Sequence, residues 1–422
     1  MHHPLQKIKH QANKTLLFYR LLFIGSLIPY FGLLVFMPGQ LMGFNWTGWA
    51  WLFMFFVSAG FIATKFKSTF PVIFWLPWAA YLLIYAFVDP SFYGFQLTAQ
   101  YLVPVMVGYA AGSLLYTPFI IKKIFRWFIY YFLFLVGSVT IFPLLPFLFK
   151  GSGHFAALVM TGAVVGSILL SVFFIRGRID ALAGYGIMLF IPIMLLTRMG
   201  IAVMMAIFAL HPANKRVWQK VVVGAATLVL GVMIFTTDSM QSKMFHSGYG
   251  EIYDISWENP NFNVSGRKTL SSIMYPGLEK NPVWGNGPRA DLELFRSQGL
   301  RLAEAHNDYL AVRYNYGWVG LILLLGAFGM QVLSLYRIRN EHRDTIFKIM
   351  IYSALTIFIG WFGFMYTDNI LKYGPFFGNF HFALMGMVYA YSRVLKSYKK
   401  DVRANVSSHG NWRNRILIGN KL

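Results

Sequence analysis

The chain has 422 residues, 57% hydrophobic, 18% aromatic and only 12% charged, where soluble domains carry roughly a quarter charged residues, so a soluble globular protein is excluded. The absence of cysteine excludes disulfides, a thiolate nucleophile and thiolate metal sites. A formal charge of +22 raises nucleic acid as a partner, and only the distribution of that charge decides the question.

Apolar runs close to the ~20 residues that cross a bilayer recur along the chain. The first, Leu16 to Met37, follows Lys7, Lys9 and Lys14; it is too long for a signal peptide and lacks a small-residue cleavage site, so it reads as an uncleaved span. Runs at Trp46–Thr64, Phe70–Val88, Leu97–Tyr116, Ile124–Phe149 and Phe155–Ile175 follow, with basic residues at alternate connections. Trp46, Trp49, Trp51, Trp75 and Trp78 near the span ends read as an interfacial aromatic belt.

The run Ala181 to Leu210 is too long for one comfortable span and is interrupted by Pro192 and then Thr197-Arg198-Met199-Gly200. One tilted helix would carry Lys215, Arg216 and Lys220 outside. Two short helices meeting at Arg198 return those residues to the cytoplasm and aim Arg198 into a wet or protein-lined cavity. Val217–Phe235 leads to the one long polar stretch, Thr237 to Leu310, which holds nine of the fifteen acids. Its Trp257, Phe262, Tyr275, Trp284 and Phe295 argue for a folded cap, and Asn259-Pro260, Asn281-Pro282 and Gly285-Asn286-Gly287-Pro288 divide it into short pieces. Ala311–Tyr336, Ile346–Tyr366 and Pro375–Leu395 close the membrane part, and a basic tail follows.

With the amino terminus in the cytoplasm, that side carries 26 of the 37 Lys and Arg and only Asp180, Glu341, Asp344 and Asp401 as acids, whereas the other side carries 11 of each sign. The whole excess is therefore the positive-inside signal, and no nucleic-acid partner is expected. The expectation is an all-α polytopic membrane protein of about twelve spans: nine within residues 1–236, a partly helical cap at 237–310, three within 311–395, and a cytoplasmic basic tail at 396–422.

The outer face offers His306 and the arginines Arg198, Arg267, Arg289, Arg296 and Arg301. Glycan transfer from a lipid pyrophosphate needs a base for the acceptor hydroxyl and cations for the departing pyrophosphate; imidazole supplies the first and planar guanidinium forks the second. Asn307 or Asp308 are candidates to orient the imidazole, and Glu304 and Asp308, four apart, to share a helical face beside it. Gly317 and Gly320 leave one helical face bare for close packing. The acids Glu251, Asp254, Glu258 and Asp291 form no compact ligand pattern, so neither a metal nor another cofactor is expected.

His306-Asn307, nine residues, then Gly317-Trp318-Val319-Gly320-Leu321 resembles the signature of the bacterial O-antigen ligase family. Ser265-Gly266-Arg267-Lys268 followed by Asn281-Pro282-Val283-Trp284-Gly285-Asn286-Gly287 is similar to the family's loop pattern, and Leu196-Thr197-Arg198 resembles its other arginine position. The resemblance covers about residues 185 to 390 and implies a metal-independent, inverting glycosyltransferase of a bacterial inner membrane. It would move a glycan from undecaprenyl pyrophosphate to lipid A-core at the periplasmic face, with His306 as base, Arg198 and Arg267 on the pyrophosphate, and Asn307, Asp308, Arg289 and Arg301 in support. Glu304 stands where many relatives have histidine, and Thr197 where many have serine. A polymerase or a protein-glycosylating transferase would share the base and the clamp, and a lipid-glycan or anion transporter would use Arg198 as a midplane anion site.

Overall fold

The computed structural model describes residues 3–64, 67–151, 153–214, 217–256, 258–263, 267–300 and 304–408. The described residues are predominantly helical. The helices are α1 (His3–Leu27), α2 (Trp46–Thr64), α3 (Leu76–Val88), α4 (Phe92–Gly112), α5 (Pro118–Thr140), α6 (Phe155–Arg176), α7 (Ile179–Met194), α8 (Arg198–Ala209), α9 (Val217–Phe235), α10 (Asp238–Met244), α11 (Arg267–Lys280), α12 (Ala290–Ser297), α13 (Asp308–Ile338), α14 (Thr345–Thr367) and α15 (Gly378–Ser408). A two-stranded hairpin, β1 (Gln40–Leu41) with β2 (Phe44–Asn45), joins α1 to α2.

Six of these helices are long and apolar enough to span a membrane, or seven if the bent pair α9 and α10 is one span. The expected twelve is not reached by this measure, for local reasons. Pro71 and a short 3-10 turn at Val72–Phe74 leave only 13 residues in α3. In α4, Gln96, Thr98 and Gln100 dilute an otherwise apolar sequence. The long run after Ala181 breaks into α7 and α8, which meet at Leu195–Thr197 as the two-helix reading expects.

Helix ends follow their capping chemistry. Thr117 and Ser91 accept from the backbone amides of Ile120 and Gly94 at 3.3 and 3.0 Å and so start α5 and α4, each satisfying one amide that has no partner within its helix. Asp344 does the same for α14 through Phe347 N at 2.7 Å.

Helices α6 and α14 lie at the centre of the bundle: 72% of an 18-residue apolar stretch of each is buried within the protein, against 28% for α2 and α5, which face outward. Helix α15 lies against α4 and α14. Three of the five tryptophans expected in an interfacial belt are instead core: Trp51, Trp75 and Trp78 are at most 3% exposed. Trp75 donates from Nε1 to Gln331 Oε1 at 3.2 Å, which settles the indole N–H inside the bundle. Trp46 and Trp49 brace the hairpin through the carbonyls of Pro38 and Leu41, at 2.8 and 3.0 Å.

The cap has its own small core. Leu270, Met274 and Leu278 from α11 meet Phe295 from α12 and Ala305, Ala311 and Tyr314 around the start of α13. Because these apolar groups come from both sides of residues 304–308, their burial fixes that segment against the membrane part. Trp284 and Tyr275 remain exposed, and Trp257 lies outside the described residues.

Candidate active site

Among the described residues only four non-glycines adopt positive φ, and three of them, Leu196 (50°), Arg289 (72°) and His306 (49°), surround one region. Such backbone is costly and persists where surrounding contacts enforce it.

Pro192 removes an amide donor from α7 and helps to end it. Thr197 N then donates to Pro192 O at 2.9 Å, and Leu196 turns the chain so that α8 begins at Arg198. The Arg198 guanidinium lies 5.8 Å from the Phe262 ring centroid and donates from Nη1 to Asn263 O at 3.1 Å. The two-helix reading and the placement of Arg198 in a cavity both describe this region.

Arg267 opens α11 and donates from Nη2 to Thr367 O at 2.8 Å, tying the cap to the end of α14. Its Nε is buried and has no hydrogen-bond partner among the described residues. Burial pulls this guanidinium below its ordinary value while Asp368 opposes the shift. Asp368, the residue after α14, places Oδ1 3.6 Å from His306 Nδ1. The imidazole is 37% exposed, which leaves it accessible.

A cavity of about 560 Å³ is lined by Arg198, Arg267, Lys243, Asn307, Tyr366 and Asp368, among others. His306 sits between two of its lining residues, Ala305 and Asn307, and beside a third, Asp368. A second, apolar groove of about 550 Å³ shares Arg198 and Ala202 with it and runs between α8, α9 and α10 over Met205, Leu228, Phe235, Met240 and Met244. A chamber that holds Arg198, Arg267 and Lys243 thus adjoins an apolar groove.

Behind His306 the loop is held by charge. Glu304 accepts from Arg289 Nη2 at 2.9 Å and Nη1 at 3.3 Å, and also pairs with Lys372. Asp291 lies 3.8 Å from both Arg289 and Lys372. Burial works against the Glu304 charge, but Lys372 and Arg289 outweigh it and hold the carboxyl below its ordinary value. Glu304 is not helical, so the expected face shared with Asp308 does not form. Asp308 instead accepts from Leu371 N at 2.9 Å, and Asn307 caps α13 by accepting from Leu310 N at 3.0 Å.

Of the two glycines after His306, Gly320 packs closely against Trp78 and Tyr81 of α3, as the spacing expects, whereas Gly317 serves a loop. At Gly317 the backbone of α13 breaks, with φ 64° and ψ −168°, and the Asn281-to-Gly287 loop enters the break. Trp318 N and Val319 N donate to Pro282 O and Val283 O at 3.0 and 3.1 Å, while Asn286 N and Gly287 N donate to Tyr314 O and Asn315 O at 2.9 and 3.0 Å. The two sequence patterns around Asn281 and Gly317 are halves of one interlock.

Arg198, Arg267 and Asn307 therefore share one cavity, and His306 adjoins it. Arg289 belongs to the ion cluster behind it, and Arg296 stacks 4.6 Å over Tyr93. Arg301 lies outside the described residues, as do Ser265 and Gly266. Sequence reasoning missed Asp368, Lys372 and Lys243. The short outer connection Thr367-Asp368-Asn369-Ile370-Leu371-Lys372 offered a signal, since it puts an acid and a base beside the end of an apolar span. Among the described residues no three His, Asp or Glu side chains gather as a metal-ligand set.

The O-antigen ligase family matches residues 183–325, which include the α7–α8 break, Arg267, the ion-paired loop, His306 and the Gly317 interlock. Asp368 lies beyond that match. No curated protein matches the chain.

Proposed function

We propose that this chain, which the O-antigen ligase family matches over residues 183–325, is a membrane glycosyltransferase that moves O-antigen glycan from undecaprenyl pyrophosphate to lipid A-core. The observation that carries the reading is the meeting of Arg198 and Arg267 in one cavity beside the His306–Asp368 pair. The donor's pyrophosphate binds between the two arginines, whose planar donors suit phosphate oxygens and stabilise the charge that grows on them. The polyprenyl chain lies along the apolar groove that opens at Arg198. His306 takes the proton from the acceptor hydroxyl as that oxygen attacks the anomeric carbon from the face opposite the pyrophosphate. One C–O bond to pyrophosphate breaks, one glycosidic C–O bond forms with inversion, and the negative charge leaves on the lipid pyrophosphate. The energy comes from that bond, so no nucleotide is required. The protein sits in a bacterial inner membrane with both termini cytoplasmic and the cap in the periplasm, in keeping with the positive-inside count.

The test combines purified protein, undecaprenyl-pyrophosphate glycan and rough lipopolysaccharide, and compares wild type with His306→Ala by gel shift. Transfer by wild type and its loss in the variant support the ligase and its base. Longer glycan on the carrier, with none on lipopolysaccharide, identifies a polymerase instead. No covalent product with any acceptor points to a transporter.

A further inference from the structure

We infer that Lys243 is a third phosphate ligand, one that grips the phosphate nearer the polyprenyl chain. The inference rests on the reading of the cavity as the donor site and adds a residue and an orientation to it.

Lys243 lies on α10 and is exposed, yet it lines the same cavity as Arg198 and Arg267. Among the described residues it makes no ion pair. Among those residues its ammonium donates only a long bond, 3.4 Å, to the carbonyl of Leu195 at the α7–α8 break. The scaffold holds it there through Asn263, whose backbone N donates to Met244 O at 2.7 Å and whose Nδ2 donates to Lys243 O at 3.3 Å. The same Asn263 accepts from Arg198 through its carbonyl at 3.1 Å. One residue therefore ties two cations into one wall of the cavity. Like charges so placed repel each other, and a bound phosphate turns that repulsion into attraction.

The neighbours of Lys243 give the direction. Met240 and Met244, on the same short helix, line the apolar groove, and Arg198 belongs to both the groove and the cavity. Arg267 lies toward α14, bonded to Thr367 beside Asp368. From the groove inward the order is thus Lys243 and Arg198, then Arg267, then the His306–Asp368 pair. A lipid pyrophosphate with its tail along the groove meets Lys243 and Arg198 with its lipid-side phosphate and Arg267 with its sugar-side phosphate.

A monophosphate isolates the groove-side member of these two subsites, so the experiment measures binding of undecaprenyl monophosphate and undecaprenyl pyrophosphate to the full-length protein in detergent micelles. K243M should weaken both lipids about ten-fold, the size expected for a charge-assisted hydrogen bond, with K243R close to wild type. Arg267→Ala should weaken the pyrophosphate alone. An exposed lysine tolerates replacement, and an unchanged thermal unfolding midpoint checks that K243M folds. Unaltered monophosphate binding by K243M overturns the assignment, and so does a loss confined to the pyrophosphate. A wild type that binds neither lipid overturns the donor-site reading itself, a result separate from any variant.

Discussion

The imidazole of His306 and the carboxylate of Asp368 face each other at 3.6 Å, Nδ1 to Oδ1, although one residue ends the cap and the other follows α14. Asp368 is itself held in place: its amide donates to Phe364 O at 2.8 Å, and its Oδ1 accepts from Asn369 N at 2.8 Å. A carboxylate at one ring nitrogen orients the ring and stabilises the imidazolium formed when the other nitrogen takes a proton. Asp368→Asn should therefore lower kcat by about 10- to 100-fold, less than the roughly 100- to 10,000-fold that a general base itself contributes, while the KM for the lipid donor changes little. Steady-state kinetics on the purified variant check this. A change in donor KM alone would assign Asp368 to binding.

Arg267 should act on a different parameter. Its Nη2 is committed to Thr367 and its Nε is buried without a partner among the described residues, so the group is partly desolvated before any substrate arrives. Arg267→Ala should raise the donor KM about 10- to 100-fold, as expected for lost charge-assisted bonds. Arg267→Lys should restore only part of this, because an ammonium cannot reproduce the planar fork. Equal rescue by lysine would reduce the role of Arg267 to charge alone.

Much of the membrane part could be read from its apolar runs. Helix α9 coincides with the run Val217–Phe235, and the break before Arg198 falls where Pro192 and a cation interrupt an apolar stretch. Patterns of this kind are local, and local periodicity reports them. Other features depend on distant partners. Trp75 and Trp78 occur near span ends in sequence but are buried because α13 and α15 close over them. The pairing of His306 with Asp368 arises only when α13 and α14 fold back together, and the neighbouring Asn307 and Asp308 are taken up by capping and by Leu371. The glycine spacing after His306 was visible, but its partner, the loop that fills the break at Gly317, was not.

The loop that carries His306 depends on Glu304, whose side chain is 28% exposed and whose partners Arg289 and Lys372 are 10% and 8% exposed. Glu304→Gln leaves two buried cations undercompensated and should cost about 3 kcal/mol, the order observed when one member of a buried pair is removed. The folded-state pKa of Glu304 is depressed from its ordinary 4.5. Its stabilising contribution is therefore fully present above that ordinary value and is lost as pH falls through the lower folded value. Thermal unfolding of wild type and Glu304→Gln should differ most at neutral pH and converge in acid. A constant difference across that range would contradict the charge-based account.

Gly317 gives the sharpest steric prediction. Its φ of 64° with ψ of −168° is backbone that a side chain strongly disfavours, and a Cβ there would lie 2.1 Å from Val283 O and 2.6 Å from the carbonyl carbon of Trp284. The facing Gly285, at φ 86°, is equally confined: its Cβ would lie 2.4 Å from Gly317 N. Both obstructing groups are backbone and belong to one hydrogen-bonded interlock, so neither can rotate aside as a long side chain would. Gly317→Ala should lower stability by about 2 kcal/mol or more and reduce transfer, since the same interlock supports the first turns of α13 that follow His306. Gly326, with open space around its Cβ position farther along α13, provides the control: Gly326→Ala should keep both the unfolding midpoint and the activity. Comparable losses in the two variants would show that α13 tolerates no added methyl anywhere, and the interlock would lose its special standing.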